Sequence, residues 1–197
     1  MMKKAGAVLV VAGLLSAAAA SLSGCAGSAV GAGASAGVAV LEERTFGQQA
    51  KDAKIHVQII AAWLNFNESM PLKLGAEVFE GRALLTGVAL GSDMRADAVR
   101  LAWTVEGIRE VINEIQIGGG GAAVLAQDSW ITAQLTSKIT FDENVSAVNY
   151  VIETVNGTVY LIGIAQSQQE LDRVIGHART IGYVRDIISH VRVKGAP

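Results

Sequence analysis

Two stretches of the chain, "VFEGRALLTGVA" from Val78 and "TVNGTVYLIGIA" from Thr154, align at a constant offset of 76 residues. Extended without gaps, that offset pairs residues 51–117 with 127–193. Twelve of the 67 pairs are identical: Asp52/Asp128, Ile55/Ile131, Gln58/Gln134, Glu77/Glu153, Gly81/Gly157, Leu85/Leu161, Gly87/Gly163, Ala89/Ala165, Ala102/Ala178, Thr104/Thr180, Arg109/Arg185 and Ile112/Ile188. Close exchanges such as Ile108/Val184, Glu110/Asp186, Val111/Ile187 and Ile117/Val193 extend the match. Between the copies lies Gly118-Gly119-Gly120-Gly121. Self-similarity of this kind, with a glycine linker at the join, constrains the chain to two tandem domains of one fold.

Each copy predicts the order αββαβ. An opening helix places Ile55, Ile59, Ala62 and Trp63 on one face in the first copy, and Ile131, Leu135 and Ile139 in the second. Asp52 and Asp128 fall at or near its start, where a carboxylate caps free amides and suits the helix dipole. Two strands follow, joined at Glu80-Gly81 and Asn156-Gly157; Asn-Gly between β-rich runs signals a tight hairpin with positive φ at both central residues. A second helix runs from about Ser92 to Val105 and from Gln168 to Ile181, and "IREVINEIQI" or "VRDIISHVRV" closes the unit as a strand. A strand–helix–strand crossover pairs parallel and right-handed. The fold class is therefore α+β, with two domains that each pack a mixed three-stranded sheet against two helices. The strands of the second copy are apolar on both faces, with Val148, Tyr150 and Ile152 opposing Val151 and Val155, and Val159 and Leu161 opposing Tyr160, Ile162 and Ile164. Two helices cover only one face, so the other packs against the sheet of the neighbouring domain or against a second copy of the chain.

Ahead of the repeat, Met1-Met2-Lys3-Lys4 precedes an uncharged run from Ala5 to Ala20, the layout of a secretory signal peptide. The run is shorter than the roughly 20 apolar residues that span a bilayer. The one cysteine of the chain, Cys25, follows in "SLSGCAGS". Leu22-Ser23-Gly24-Cys25 resembles the lipobox of bacterial lipoproteins. That resemblance implies a diacylglycerol on the thiol, cleavage before Cys25 and acylation of the new amino terminus. Several acyl chains, at about 0.8 kcal/mol per buried methylene, give stable anchoring. Ala26 is similar to the residue at that place in outer-membrane-bound lipoproteins. The expected organisation is a signal peptide over 1–24, lipidated Cys25 and a Gly/Ala-rich tether over 25–47, a first domain over 48–117, a linker over 118–126 and a second domain over 127–194. "GAGASAG" reads as tether rather than phosphate loop, since no strand precedes it.

Removing Lys3 and Lys4 with the signal leaves 14 basic and 18 acidic residues, a net charge of −4. That balance argues against nucleic acid as a partner. With Cys25 lipidated no thiol remains for a disulfide, so stability rests on apolar burial, for which 51% hydrophobic residues suffice.

The αββαβ plan, the pattern Val-Asn-Gly-x-Val-x-Leu-x-Gly over Val155–Gly163 and the ending "GIREVINEI" resemble BON domains. Signal, lipobox, tether and two such domains resemble the dual-BON-domain lipoproteins of Gram-negative envelopes. The resemblance implies a non-catalytic role at the periplasmic face of the outer membrane, contact with anionic phospholipid through the second domain, and support of envelope integrity. A protein-interaction scaffold docking an envelope assembly or the division machinery is the alternative.

No residue is assigned to catalysis, a metal or a cofactor. His56, His177 and His190 do not pair at metal-ligand spacing, no P-loop lysine motif occurs, and the Gly-x-Ser-x-Gly spelling at Gly33–Gly37 lies within the Gly/Ala-rich tether, where no strand precedes it to build an elbow. The repeat instead acts as an internal control. Trp63 aligns with Ile139, which predicts core packing. Trp130 aligns with Lys54, a residue for solvent, so the fold does not demand its indole. Tryptophan favours the bilayer interface, and shielding by the other domain or the linker is the alternative. In the dual-BON lipoproteins a tryptophan stands at this place in a similar Asp-x-Trp-Ile-Thr setting; "DSWIT" matches it, and the lipid-contact role carries onto Trp130 by that resemblance. Arg173, His177 and Arg179 on the second helix are candidates to meet lipid phosphates, set against a solvated polar face. Trp103, aligned with Arg179, reads as a second exposed indole or as one that bridges the domains, and His190, aligned with Glu114, reads as a solvated edge residue.

Overall fold

A computed structural model describes residues 42–119 and 121–195. The expected signal peptide, Cys25 and the tether as far as residue 41 lie outside the described residues.

Helix α1 (Phe46–Phe66) opens behind Thr45, whose hydroxyl accepts from the Gln48 N–H at 3.2 Å. Its periodic apolar residues Ile55, Ile59 and Trp63 are buried. Strands β1 (Leu74–Phe79) and β2 (Arg82–Ala89) pair antiparallel around a two-residue turn. Helix α2 (Ser92–Trp103) then returns the chain to β3 (Glu110–Asn113) and β4 (Gln116–Ile117), both parallel to β2. The second copy repeats the plan: α3 (Ala122–Thr140), a short 3-10 turn (Ala147–Asn149), β5 (Tyr150–Val155), β6 (Thr158–Ala165), α4 (Gln168–Arg179) and β7 (Asp186–Val193). β5 and β6 are antiparallel, and β7 is parallel to β6. The two opening helices begin at equivalent positions, Phe46 and Ala122, the latter within the stretch read as linker. This is the α+β class expected, with both crossovers parallel.

Two sequence expectations are corrected. Asp52 and Asp128 do not cap helices, because α1 and α3 continue six residues ahead of them through good helix formers such as Ala, Gln and Leu. Each is buried one side-chain length from the hairpin. Asp52 accepts the amides of Glu80 and Gly81 at 2.8 and 2.9 Å, and Asp128 those of Asn156 and Gly157, both at 2.7 Å. The turns these carboxylates hold have positive φ at both central residues, 53° and 74° in the first copy and 51° and 77° in the second. The second correction concerns His190. It is part-buried between the domains, its Nε2 2.8 Å from Oε1 of Glu114, rather than solvated at an edge.

Alternation along the strands divides the interior into three layers. Ala76, Val78, Ala83 and Leu85 face α1 and α2, and Ile152, Val159 and Leu161 face α3 and α4. The opposite faces meet each other: Phe79, Leu84 and Ile112 of the first domain pack with Val155, Tyr160 and Ile162 of the second. The second apolar face is thus covered within the chain, sheet on sheet.

This middle layer has internal two-fold character. Glu114 and His190, which pair, are equivalent positions. The Glu80–Arg192 ion pair has its counterpart in the hydrogen bond from Asn156 Nδ2 to Gln116 Oε1 at 2.7 Å, since 80 matches 156 and 116 matches 192. Such reciprocal contacts define an isologous interface, here between two halves of one chain. Residues ahead of α1 tie the halves further. Arg44 stacks 4.2 Å over the Phe79 ring and pairs with Asp52, while the Glu43 amide donates to Oδ1 of Asn149 in the second domain.

Candidate functional site

Asp128 organises one end of the second domain. Its carboxylate fixes the Asn156-Gly157 turn against α3. The turn in turn holds the loop before β7. The Arg185 amide donates to the Gly157 carbonyl at 2.8 Å, and the Tyr183 carbonyl packs so tightly on Gly157 that a Cβ there would lie 2.8 Å away. Two residues beyond Asp128, Trp130 projects from α3 and is 45% exposed. The Tyr183 ring meets it edge to face, with centroids 6.2 Å apart and planes at 75°. Together with Ala126 and Gln127 the two rings line an open surface hollow that no charged side chain lines. Leu125, 68% exposed, stands on the same first turns of α3.

The first domain repeats the turn scaffold but not the aromatic pair. Its equivalents of Leu125, Trp130 and Tyr183 are Gln49, Lys54 and Gly107. The same fold therefore carries an apolar, aromatic cap in one copy and polar or small residues in the other. Trp130 keeps 45% of its surface exposed, and its aromatic neighbour comes from its own domain.

Two of the three expected cations turn to another partner. Arg173 and His177 both face Asp142, at 3.7 Å and 2.7 Å from its Oδ2. Asp142 lies 12 residues beyond Trp130, roughly 18 Å along the helix direction. The hydrogen bond from His177, with further donation from the Asn144 amide, holds the Asp142 carboxyl below the usual carboxylate range. Arg179 is exposed as the last residue of α4. Trp103 is 53% exposed at the end of α2, and Trp63 is fully buried, its indole N–H donating to the Ala98 carbonyl at 3.0 Å.

Sequence reasoning missed Tyr183 and Leu125. A signal for Tyr183 lay in the repeat. Gly107 has φ 95°, and the bulky residue aligned with it adopts φ 70°, a left-handed conformation that glycine takes freely and an aromatic residue seldom does. Among the described residues no group of three or more His, Cys, Asp or Glu side chains is placed to hold a metal ion. No helix of the described residues is long and apolar enough to cross a membrane.

Comparison with known proteins accords with this architecture. The BON domain family model matches residues 50–119 and 127–195. The chain is 40% identical over 131 residues to a protein from the gshII 5' region of Anaplasma centrale, covering 66% of this chain and 87% of that one. It is 33% identical over 150 residues to the outer membrane lipoprotein DolP of Haemophilus influenzae, covering 75% of this chain and 78% of the relative. A 21 kDa hemolysin of Actinobacillus pleuropneumoniae is 31% identical over 150 residues, covering 76% and 70%. Two matched segments fill most of the chain, each carrying the αββαβ plan, and the chain belongs to the BON domain family as a dual BON-domain protein of the kind that includes DolP.

Proposed function

We propose that this protein is a non-catalytic envelope lipoprotein whose second BON domain contacts phospholipid at the periplasmic face of the outer membrane and thereby supports envelope integrity. The observation that carries the reading is the exchange between copies: Gln49, Lys54 and Gly107 in one domain, Leu125, Trp130 and Tyr183 in the other. Exposed indole and phenol rings, with an exposed leucine on the first turns of the same helix, suit the headgroup–acyl boundary, where amphipathic rings keep a polar edge in water. The likeness to an outer membrane lipoprotein supports the location.

Lipidated Cys25 supplies residence. Residues 25–41 reach at most about 60 Å when fully extended. The cap is thus confined near the anchoring leaflet, and a weak second contact becomes effectively intramolecular. Anionic lipid is the favoured class, with exposed Arg179 available to a phosphate.

The test uses the full chain carrying Trp103→Phe, so that Trp130 is the remaining exposed indole among the described residues, since Trp63 is buried. It is placed in phosphatidylglycerol-containing vesicles with and without brominated acyl chains. The reading expects bromine to quench Trp130 emission. Identical emission from both vesicle types contradicts it, and crosslinking from position 130 to a protein in place of lipid would favour an interaction scaffold.

A further inference from the structure

We infer that Tyr183 is a second membrane anchor, kept in a strained backbone conformation because its ring is needed beside Trp130. The inference rests on the membrane reading above and adds a residue that neither the repeat nor the family plan requires.

Three observations carry it. First, Tyr183 has φ 70°, the left-handed region that L residues with bulky side chains avoid, and its counterpart Gly107 has φ 95°. The backbone there is set by the fold rather than by the side chain. In both copies the carbonyl of this residue approaches the hairpin glycine, to 2.8 Å from a Cβ built on Gly81 or Gly157, and an arginine amide two residues later bonds that glycine's carbonyl at 2.8 Å. Glycine therefore suits the site, and tyrosine is strained in it. Second, the ring gains no burial in return, since Tyr183 is 69% exposed. Third, it is aimed at Trp130, edge to face at 6.2 Å, and with Ala126 and Gln127 it completes the uncharged hollow. A side chain that is strained, exposed and paired with the one aromatic residue that replaces a lysine is retained for a contact outside the fold. An amphipathic ring at this place fits the lipid interface, which the anchored amino terminus keeps within reach.

Tyr183→Gly separates function from stability, because it restores the residue the first copy uses. In the full chain with Trp103→Phe, Tyr183→Gly is expected to leave the thermal midpoint unchanged or raised. Quenching of Trp130 by brominated lipid should fall at least threefold. Tyr183→Asn, which also tolerates left-handed backbone, should lose quenching alike, and Tyr183→Phe should keep most of it. Undiminished quenching in either Tyr183→Gly or Tyr183→Asn, with Trp130 quenched in the parent, overturns the role of Tyr183 and leaves the membrane reading standing. Absence of quenching in the parent overturns both. A lowered midpoint in Tyr183→Gly and Tyr183→Asn, with quenching lost in proportion to unfolding, would make Tyr183 a structural residue and also overturn the inference.

Discussion

Asp128 shows how a single buried carboxylate links fold to site. It accepts two turn amides at 2.7 Å, and the turn then holds the Tyr183 loop beside Trp130, which α3 presents two residues after Asp128. Asp128→Ala would leave both amides buried without an acceptor. Hydrogen bonds to a charged group contribute about 1.5–3 kcal/mol each, so a loss of roughly 3 kcal/mol is expected in denaturant unfolding. Asp128→Asn, which keeps one acceptor oxygen, should cost less. Asp52→Ala should cost at least as much as Asp128→Ala, since Asp52 accepts the same two turn amides and also pairs with Arg44 and accepts from Gln48 Nε2 at 2.9 Å. The identity of these two aspartates was plain in the repeat, but their role was not. Helix periodicity fixed the buried face and left the first six residues of each helix unmarked, so the aspartates looked terminal when they are internal.

Among the elements, the strands of each sheet carry two buried faces, and the middle layer is where alternation is most informative. Ile162 is fully buried there with Phe79, Leu84 and Tyr160. Ile162→Ala removes three methyl or methylene carbons from a layer shared by both domains and should cost about 2–5 kcal/mol, read by urea denaturation as one cooperative transition. Two separate transitions in the parent protein would show that the sheets do not stabilise each other. The closing strands differ in a way that pattern did not reveal. "IREVINEIQI" and "VRDIISHVRV" look alike, yet the first splits into β3 and β4 while β7 is continuous. Asn113 Oδ1 accepts from the Ile115 amide at 3.2 Å, and its counterpart Ser189 accepts from the Val191 amide at 3.3 Å, so the same local bond accompanies an interrupted strand in one copy and a continuous one in the other. Sheet-to-sheet packing, by contrast, was legible, because two helices cannot cover both faces of such strands.

For the molecule as a whole, the internal two-fold places like beside like. Glu77 and Glu153 are equivalent, and both project into the middle layer on the same strand faces as Phe79 and Val155. Burial, and then the charge of Glu77, push the Glu153 carboxyl up to about 7. Burial raises Glu77 as well, opposed by the positive charge of Arg44. Between the ordinary value of 4.5 and about 7, folded Glu153 keeps a proton that the unfolded chain has lost. Stability contributed by this group therefore falls as pH rises through that window and levels off above it. Thermal unfolding of the full chain from pH 4.5 to 8 should show this decline, and Glu153→Gln should flatten it. An unaltered pH profile in the variant would remove Glu153 as its source. Neither carboxylate was singled out from sequence, since only the sheet-on-sheet packing turns two strand residues 76 apart into neighbours in charge.

The same two-fold makes the difference between the copies the sharpest handle on function. Changing Leu125→Gln, Trp130→Lys and Tyr183→Gly together gives the second domain the cap of the first while leaving every buried residue in place. The decisive measurement is amide hydrogen exchange over residues 122–133 and 181–185 in the full chain, with vesicles compared against detergent-solubilised protein. The account predicts that vesicles slow exchange in both segments of the parent and leave the triple variant unchanged; equal protection in the two proteins would contradict it.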